Sequence, residues 1–364
     1  MTPLGYIALG VLAVNLLYYI LFIYFGFGKS PKPQTQKVYP VSLLVCAKNE
    51  AENLQKHIPI WLEQDHPDFE LVLIDDASTD ETAAVIDRFS DLDPRITPVY
   101  VKANERFHNS KKYALTLGIK KAKHTRLIFT DADCIPASNA WLSELSRYFS
   151  SEKHLVLGYG KHQKRAGLLN ALIRYETFIT GLQYLAYAHA GKAYMGVGRN
   201  LGYTKILFEK QKGFASHIQL QSGDDDLFVN EATTSENTTY CIDPKCHTFS
   251  EPKKSFGDWF RQKRRHISTA NHYRSFFKAS LGLYYLGNLA FWLVLVLLAL
   301  TQWKLALLYF GLRSLLQWIS YWGAAKKLRA GALIVAAPVL ELFLICTQLS
   351  IFITNLVSPK PTWK

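Results

Sequence analysis

Two stretches of this sequence contain no charged residue, and each is long enough to cross a lipid bilayer as a helix. They are residues 4–28 and 281–303, and a transmembrane helix needs about 20 apolar residues. Residues 331–357 are similar except for one proline and one glutamate. Residues 305–325 are a weaker candidate, because Arg313 lies near their middle and a charge at mid-bilayer is costly. The sequence predicts an integral membrane protein with one N-terminal span, a permanent anchor and not a cleaved signal, and about three C-terminal spans.

The basic residues of the chain are concentrated beside these apolar stretches. The formal net charge is +13, and the positive-inside rule assigns such flanking clusters to the cytoplasmic side. The clusters are Lys29, Lys32 and Lys37, then residues 253–266, and finally Lys326, Lys327 and Arg329. We therefore expect a cytoplasmic middle region, and most of the basic excess needs no nucleic-acid partner. Five scattered cysteines without a CxxC pair agree with a reducing compartment.

Between the apolar ends, strand patterns alternate with helical patterns. Strand patterns begin at residues 41, 69, 96 and 126, the first of them a continuous apolar run, and a helical pattern follows each of the first three. Such alternation predicts a parallel sheet with helices on both faces. Ligands then bind beyond the carboxyl ends of the strands. No GxGxxG motif follows any strand, which argues against a dinucleotide-binding fold.

Acidic residues stand at two of these strand ends. Asp75 and Asp76 end the second strand pattern, and Asp131 and Asp133 end the fourth. In extended chain, residues two apart point to the same side. Two carboxylates on one side are hard oxygen ligands suited to Mg²⁺ or Mn²⁺. The alternative is that they are turn or cap residues, as aspartates often are.

Three motifs at successive strand ends resemble the nucleotide-binding half of family 2 glycosyltransferases, which have the GT-A fold. They are "VCAKNEAENL" (45–54), "IDDASTDET" (74–82) and "TDADCIP" (130–136). Further along, "GVGRNLGY" (196–203) resembles the family's acceptor-side loop, "SGDDDLF" (222–228) its acidic motif, and "QKRRH" (262–266) its QxxRW motif with histidine in place of tryptophan. The resemblance covers roughly residues 40–270 and extends to the membrane-bound bacterial members. It implies an α/β fold of the GT-A type, with a mostly parallel sheet flanked by helices, in the bacterial inner membrane.

This resemblance divides the chain and implies a role for each candidate residue. The expected parts are an N-terminal anchor (1–29), a linker (30–40), a cytoplasmic glycosyltransferase domain (41–275) and C-terminal transmembrane helices (276–364). A divalent metal, Mg²⁺ or Mn²⁺, is expected at Asp133. The residues expected to bind the nucleotide-sugar donor are Ala47, Glu50, Asp76, Lys111, Asp131, Gln262 and Arg265. Acceptor contacts are expected from Asn200, Asp224 and His266.

Asp225 is the candidate general base, because an acceptor hydroxyl must lose its proton as the new bond forms. Its neighbours Asp224 and Asp226 would raise its pKa by like-charge repulsion, which suits a base. A single base without a covalent nucleophile implies one displacement with inversion at the anomeric carbon. The same "GDDD" segment is also suited to begin a helix, since acidic side chains favour the first turn.

The sequence leaves several alternatives open. The enzyme could move one sugar from a UDP-sugar or related donor to a lipid-linked or glycan acceptor, or it could be a processive polysaccharide synthase. A non-catalytic membrane protein that binds anionic lipid or nucleic acid, and a metal-dependent nucleotidyltransferase, are rival interpretations. The "QKRRH" segment could be only a membrane-surface anchor. Residues 165–194 predict a long helix, lying either in the core or on the membrane surface.

Overall fold

The computed structural model describes residues 2–102, 111–267 and 269–358. Its strands, numbered in chain order, are β1 Val41–Ala47, β2 Phe69–Asp75, β3 Ile96–Tyr100, β4 Arg126–Asp131, β5 Cys134–Pro136, β6 Leu155–Leu157, β7 Gly160–His162, β8 Leu201–Thr204, β9 Thr238–Tyr240 and β10 Thr248–Ser250. Its α-helices are α1 Pro3–Phe27, α2 Ala51–Leu62, α3 Thr82–Leu92, α4 Lys111–Lys121, α5 Trp141–Ser146, α6 Leu168–His189, α7 Lys205–Lys210, α8 Asp226–Ala232, α9 Phe256–Ile267, α10 Ser275–Thr301, α11 Trp303–Lys327 and α12 Ala337–Val357. Short 3₁₀ turns include Gly198–Asn200 and Gly331–Ala336.

The main sheet has seven strands in the order β3-β2-β1-β4-β8-β6-β9. Strands β1 to β4 are parallel to one another, whereas β8 runs antiparallel to both β4 and β6. The four predicted strands are confirmed, with earlier ends at Asp75 and Asp131 for β2 and β4. The predicted mostly parallel α/β fold is therefore confirmed.

Alternation along β1 explains why both faces of the sheet are covered. Every residue of β1 is buried. Leu43 and Val45 belong to a hydrophobic cluster with α2 and α3, whereas Leu44 and Cys46 belong to one with α4. A strand buried on both faces reads as a continuous apolar run, which is the pattern the sequence displays.

A second sheet of three short strands lies beside the carboxyl end of β4. Its order is β5-β10-β7, and β5 begins three residues after the end of β4. Ser250 of β10 pairs with Cys134 of β5 and with His162 of β7. This small sheet therefore fixes the chain immediately after Asp133.

Three segments of the described chain are long and apolar enough to cross a membrane: Pro3–Phe27, Ser275–Thr301 and Gly331–Val357. The fourth predicted span is the helix α11, which packs against α1 and α10 but is not among the three. Arg313 of α11 is fully buried, and its guanidinium donates to Glu341 at 2.6 Å and to Asn288 at 2.7 Å. A buried charge needs such partners, and α10 and α12 supply them.

The helix predicted within residues 165–194 is α6. It packs against α1 and α12 on one side and against strands β7 and β9 on the other. Most of its side chains are buried, including Tyr175, Phe178 and Leu182. We therefore assign α6 to the core, between the sheet and the apolar helices.

Candidate active site

Asp131 and Asp133 lie together at the end of β4. Their carboxylate oxygens and the Cys134 thiol lie within 4.8 Å of one another. Ala132 and Asp133 form the turn between β4 and β5, and Ala132 is buried. The prediction that both carboxylates share one side of the chain is confirmed by this geometry.

These carboxylates fit a divalent cation of the Mg²⁺ or Mn²⁺ class. Burial and the neighbouring Asp131 raise the pKa of Asp133, so a bound cation would relieve a real electrostatic cost. Burial raises the pKa of the Cys134 thiol well above its ordinary value, and its Sγ lies 3.3 Å from Asp133 Oδ1. The thiol therefore donates a hydrogen bond to the Asp133 carboxylate. Two carboxylates with room for water and phosphate oxygens suit a hard cation.

Lys111 joins the two acidic motifs. Its Nζ lies 2.9 Å from Asp131 Oδ1 and 3.2 Å from Asp224 Oδ2. Burial would lower the pKa of Lys111, but the two aspartates together raise it well above its ordinary value. Lys111 is therefore a fixed positive charge between β4 and the segment that precedes α8.

Asp225 is held by backbone groups at the start of α8. Its Oδ2 accepts a hydrogen bond from the Gly198 N–H at 2.7 Å, and its Oδ1 accepts one from the Asp226 N–H at 2.7 Å. A Cβ at position 198 would come within 3.3 Å of Asp225 Oδ2, so the glycine permits this close approach. Asp225 is also the N-cap residue of α8, which confirms that "GDDD" begins a helix.

The pKa of Asp225 is raised to about 7. Burial is the largest cause, and the charges of Asp224 and Asp226 add to it, whereas Lys111 and the Gly198 N–H oppose it. A carboxyl with this pKa is suited to exchange a proton near neutral pH.

Asp226 has a different environment. Its side chain accepts hydrogen bonds from Tyr273 Oη at 2.7 Å and from Thr269 Oγ1. Thr269 and Tyr273 lie between α9 and α10, so Asp226 ties α8 to the chain that enters the first C-terminal apolar helix. No feature of the local sequence indicates this contact, which joins residues more than 40 positions apart.

The loops after β1 and β2 are bonded to each other. The Asn49 N–H donates to Ser78 Oγ at 2.9 Å, and the Thr79 N–H donates to Asn49 Oδ1 at 2.8 Å. Asn49 and Ala77 both have positive φ, at 56° and 51°. Such backbone conformations are uncommon outside glycine, and here the cross-loop hydrogen bonds support them.

Three of the predicted donor-binding residues, Ala47, Glu50 and Asp76, lie at these two loops. The Asp76 N–H donates to the Ala47 carbonyl at 2.8 Å, and the Asp76 carboxylate lies 4.0 Å from Lys48 Nζ. Burial raises the pKa of Glu50, and Asp133 and Asp131 act in the same direction. Glu50 is therefore an electrostatic neighbour of the aspartate pair.

The "QKRRH" segment lies on α9, and its residues face in different directions. Burial lowers the pKa of Arg265, and the charges of Asp224, Asp131 and Asp225 oppose this effect. Arg265 thus faces both acidic motifs. Gln262 is partly buried on the same helix, and His266 is exposed.

Asn200 lies inside the protein, so its side chain is not available to an acceptor. It is fully buried, and its amide donates to the Tyr159 carbonyl at 3.1 Å and the Cys246 carbonyl at 2.7 Å. Trp141 Nε1 donates to its oxygen at 3.2 Å. The amide is instead occupied in fixing the turn that presents Gly198.

Two basic residues near the site were not among the sequence-based candidates. Arg199 acts electrostatically on both Asp131 and Asp133; its position inside "GVGRNLGY" could have suggested it. Lys112 follows Lys111 directly, and its Nζ donates to the carbonyls of His217 and Leu220 at 2.6 and 2.9 Å. It fixes the loop that leads into "GDDD".

Comparison with known proteins agrees with this geometry. Residues 42–208 match the family described as "Glycosyl transferase family 2". This match covers less than half of the chain and supports a family 2 glycosyltransferase domain there, and the fold is of the GT-A type, as the motifs indicated.

Individual relatives are distant and matched only in part. An uncharacterised glycosyltransferase of Haemophilus influenzae is 28% identical over 144 residues, 40% of this chain and 41% of that protein. The poly-beta-1,6-N-acetyl-D-glucosamine synthase of Staphylococcus epidermidis is 30% identical over 105 residues, 29% of this chain and 24% of that protein. The chain thus spans less than half the length of the first curated relatives it matches.

One solved structure is similar over nearly the whole chain. The mannosyltransferase PcManGT from Pyrobaculum calidifontis, solved with GDP-Man and Mn²⁺, superposes with a TM-score of 0.58 and 21% identity. The match covers 93% of this chain and 99% of that one. At this identity the similarity establishes the fold, including the helices that flank the sheet.

Proposed function

We propose that this protein is an inverting glycosyltransferase that moves a sugar from a nucleotide-diphosphate sugar to a lipid-linked or glycan acceptor at a membrane. One observation carries the proposal: Lys111 bridges Asp131 of the "DAD" motif and Asp224 of "GDDD". A donor-binding carboxylate pair and a candidate base with a pKa of about 7 are thereby combined in one site.

In this proposal Asp225 accepts the proton of the acceptor hydroxyl while that oxygen attacks the anomeric carbon. The bond from the anomeric carbon to the diphosphate oxygen breaks in the same step, and the leaving group is a nucleoside diphosphate. Gly198 and the start of α8 hold the carboxylate in place. Preorganised groups of this kind cost little reorganisation during the reaction.

The donor occupies the strand-end loops and the aspartate pair. Asp133, with Asp131 beside it, would hold a divalent cation, Mg²⁺ or Mn²⁺. When bound, this cation would neutralise charge on the leaving diphosphate. Ala47, Glu50 and Asp76 lie on the loops assigned to the nucleoside, and Arg265, with Gln262 on the same helix, is assigned to the diphosphate. A UDP-sugar is the donor we expect, and Asp224 and His266 are kept as acceptor-side candidates.

We place the catalytic domain, residues 41–275, on the cytoplasmic side of a bacterial inner membrane. The anchor (1–29), the linker (30–40) and the C-terminal helices (276–364) complete this arrangement. Three apolar segments of sufficient length support it. They also favour transfer of one sugar over polymer export, because export requires a pore through the membrane. Arg313 of α11 is instead bonded to Glu341 of α12 inside the helix bundle.

The test is nucleotide release by the detergent-purified protein. A panel of UDP- and GDP-sugars is supplied with Mn²⁺ or Mg²⁺ and a membrane extract as the acceptor source. We expect metal-dependent release from one donor. Asp225→Asn should lower kcat by about 10²–10⁴-fold, the usual contribution of a general base.

Asp243→Asn is the matched control, because Asp243 is an exposed aspartate that also caps a helical turn. It should behave like wild type. Release of pyrophosphate in place of a nucleoside diphosphate would identify a nucleotidyltransferase. Absence of release from every donor, with retained lipid or nucleic-acid binding, would favour a non-catalytic membrane protein.

A further inference from the structure

Arg199 lies in the 3₁₀ turn Gly198–Asn200, between contacts to both acidic motifs. On one side, the Gly198 N–H donates to Asp225 Oδ2 at 2.7 Å. On the other side, the Arg199 carbonyl accepts a hydrogen bond from Thr130 Oγ1 at 3.1 Å, and Thr130 directly precedes the "DAD" motif. The backbone of Arg199 is therefore fixed beside the candidate active site, and the direction of the side chain decides where its charge lies.

The side chain of Arg199 lies on one face of the three-stranded sheet. The Arg199 carbonyl also accepts a hydrogen bond from Thr248 Oγ1 at 3.0 Å, and Thr248 is paired with Gly160 across the sheet. A Cβ at position 160 would come within 2.8 Å of Arg199 Cγ and Nε, so the side chain passes over this glycine. Further along the same strands, Nη1 lies 3.0 Å from His162 Nε2 and 3.3 Å from Ser250 Oγ. Arg199 therefore extends along β7 and β10, from Gly160 towards His162.

This direction leads to the strand-end carboxylates. Ser250 is paired with His162 on one side and with Cys134 on the other, and side chains of directly paired residues lie on the same face of a sheet. Cys134 is the first residue of β5, and its Sγ lies 3.3 Å from Asp133 Oδ1. The guanidinium of Arg199 thus lies on a row of side chains whose other end touches Asp133.

No carboxylate in the described part of the chain forms an ion pair with Arg199. Burial, together with the charge of Arg199, lowers the pKa of His162 to about 2, so both acceptors of the guanidinium, His162 and Ser250, are uncharged. Both are reached through Nη1, whereas Nε and Nη2 have no acceptor among the described residues. Because the residue is only partly buried, these two nitrogens can meet an anion that enters the site.

We propose that Arg199 binds the diphosphate of the nucleotide-sugar donor. This role rests on the proposed function, which places the donor at the strand-end carboxylates. Nε and Nη2 form one edge of the guanidinium, and such an edge can donate two parallel hydrogen bonds to phosphate oxygens. Lys111, by comparison, is already paired with Asp131 and Asp224. Arg199 is the cation whose charge is left for the donor.

The experiment is calorimetry on the full-length, detergent-purified protein in the presence of Mn²⁺. The probes are UDP and GDP, and the matching nucleosides uridine and guanosine carry the base and ribose without phosphate. Arg199→Gln removes the charge, and Arg199→Lys keeps the charge but loses the planar edge. Arg165→Gln is the matched control, because Arg165 is an exposed arginine close to the same small sheet and is paired with Glu251 at 2.9 Å.

We expect Arg199→Gln to bind the nucleoside diphosphate about 10–100-fold more weakly, the effect of losing charge-assisted hydrogen bonds. Binding of the nucleoside should stay within about twofold of wild type. Arg199→Lys should recover part of the loss, and the control should match wild type. Equal diphosphate affinity in Arg199→Gln and the control overturns the proposal. An equal loss for nucleoside and diphosphate also overturns it, because Arg199 would then only support the fold.

Gly160→Ala tests the same contact if Arg199→Gln does not fold. The added methyl group would displace the Arg199 side chain without removing its charge. Diphosphate binding should then weaken by about tenfold, while nucleoside binding persists. Unchanged diphosphate binding in Gly160→Ala would contradict the proposed role.

The role of Arg199 and the proposed catalytic function can fail separately. Asp225→Asn should lose transfer and keep binding of the nucleoside diphosphate. A wild-type protein that binds UDP or GDP but transfers sugar from no donor would contradict the proposed function, and the comparison of the Arg199 variants would still decide the role of Arg199. A wild-type protein that binds neither UDP nor GDP would overturn both proposals.

Discussion

The two acidic motifs of the site contain similar residues but hold them in opposite ways. Asp131 ends β4 and Asp133 lies in the turn that follows, and their carboxylates lie close together. Asp224, Asp225 and Asp226 lie where a loop becomes a helix, and each has a different partner: Lys111, the Gly198 N–H, and Tyr273 with Thr269.

Backbone geometry gives the carboxylates of the two motifs different chemical roles. The turn after β4 keeps the carboxylates of Asp131 and Asp133 close together, so the two can share one cation. The turn into a helix rotates successive side chains away from each other, so three carboxylates can serve three purposes. In this protein those purposes are an ion pair with Lys111, a candidate base, and an anchor for the chain that enters α10.

The largest expected effect on activity concerns Asp131 and Asp133. Asp133→Asn should lower transfer by at least about a hundredfold at fixed Mn²⁺, since a cation at the leaving group contributes several kcal/mol. It should also weaken donor binding, which Asp225→Asn should leave intact. Donor affinity is measured by calorimetry with and without metal.

Asp91→Asn is the control for this prediction, because Asp91 is exposed on α3. Chelation of metal from wild type should reproduce the Asp133→Asn defect and should be reversed by added Mn²⁺. Metal-independent donor binding with full activity in Asp133→Asn would contradict the proposal that one motif binds the metal and donor and the other supplies the base.

The second effect concerns the charge that joins the motifs. Lys111→Met leaves Asp131 and Asp224 without their shared partner, and Asp131 retains 38% side-chain exposure. Solvent screens that side of the pair, so we expect a loss of about 2–3 kcal/mol in the free energy of unfolding. Denaturant unfolding followed by tryptophan fluorescence measures it.

Lys120→Met serves as the matched variant, since Lys120 is exposed at the other end of α4. Lys111→Arg should recover part of the stability, because the positive charge remains. Equal stabilities for Lys111→Met and Lys120→Met would show that the two motifs fold without their common cation.

The third effect is the pH dependence of kcat. Asp225 must be ionised to accept a proton, and its pKa is about 7. Transfer should therefore be constant above this pH and fall by about tenfold per pH unit below it. The charged groups that face Asp225 are Asp224, Asp226, Lys111, Lys112 and Arg265.

Asp224→Asn tests the cause of the raised pKa. Removing this negative charge should move the acidic limb of the profile to lower pH, since Asp224 raises the pKa of Asp225. A limb that keeps its position in Asp224→Asn would assign the titration to another group.

The smallest effect concerns the structural aspartate. Tyr273→Phe removes one hydrogen bond to Asp226 and should cost about 1–2 kcal/mol in the free energy of unfolding, with little change in the pH profile. Tyr6→Phe, at an exposed position of α1, is the control. A large loss of kcat without loss of stability would show that Asp226 also takes part in catalysis.

Most of the fold and part of the candidate site could be predicted from local sequence pattern. The apolar runs predicted β1, β2 and β4 because buried parallel strands have few alternatives. The spacing of Asp131 and Asp133 predicted that the two carboxylates lie together, although the structure achieves this through a turn after β4 and not through extended chain. The burial of Asn200 did not follow from the sequence, because sequence alone cannot tell an amide that faces a ligand from one that fixes a buried turn.

Local sequence pattern was enough to predict the apolar helices, the parallel strands, the strand-end carboxylates and the helix that begins at "GDDD". Each depends on hydrophobic period or backbone preference within a few residues. Tertiary contacts were needed to show that Lys111 joins two motifs, that Asp226 is an anchor and that Arg313 pairs with Glu341. These contacts link distant parts of the chain, and their energies depend on burial and on partners that exist only once the chain has folded.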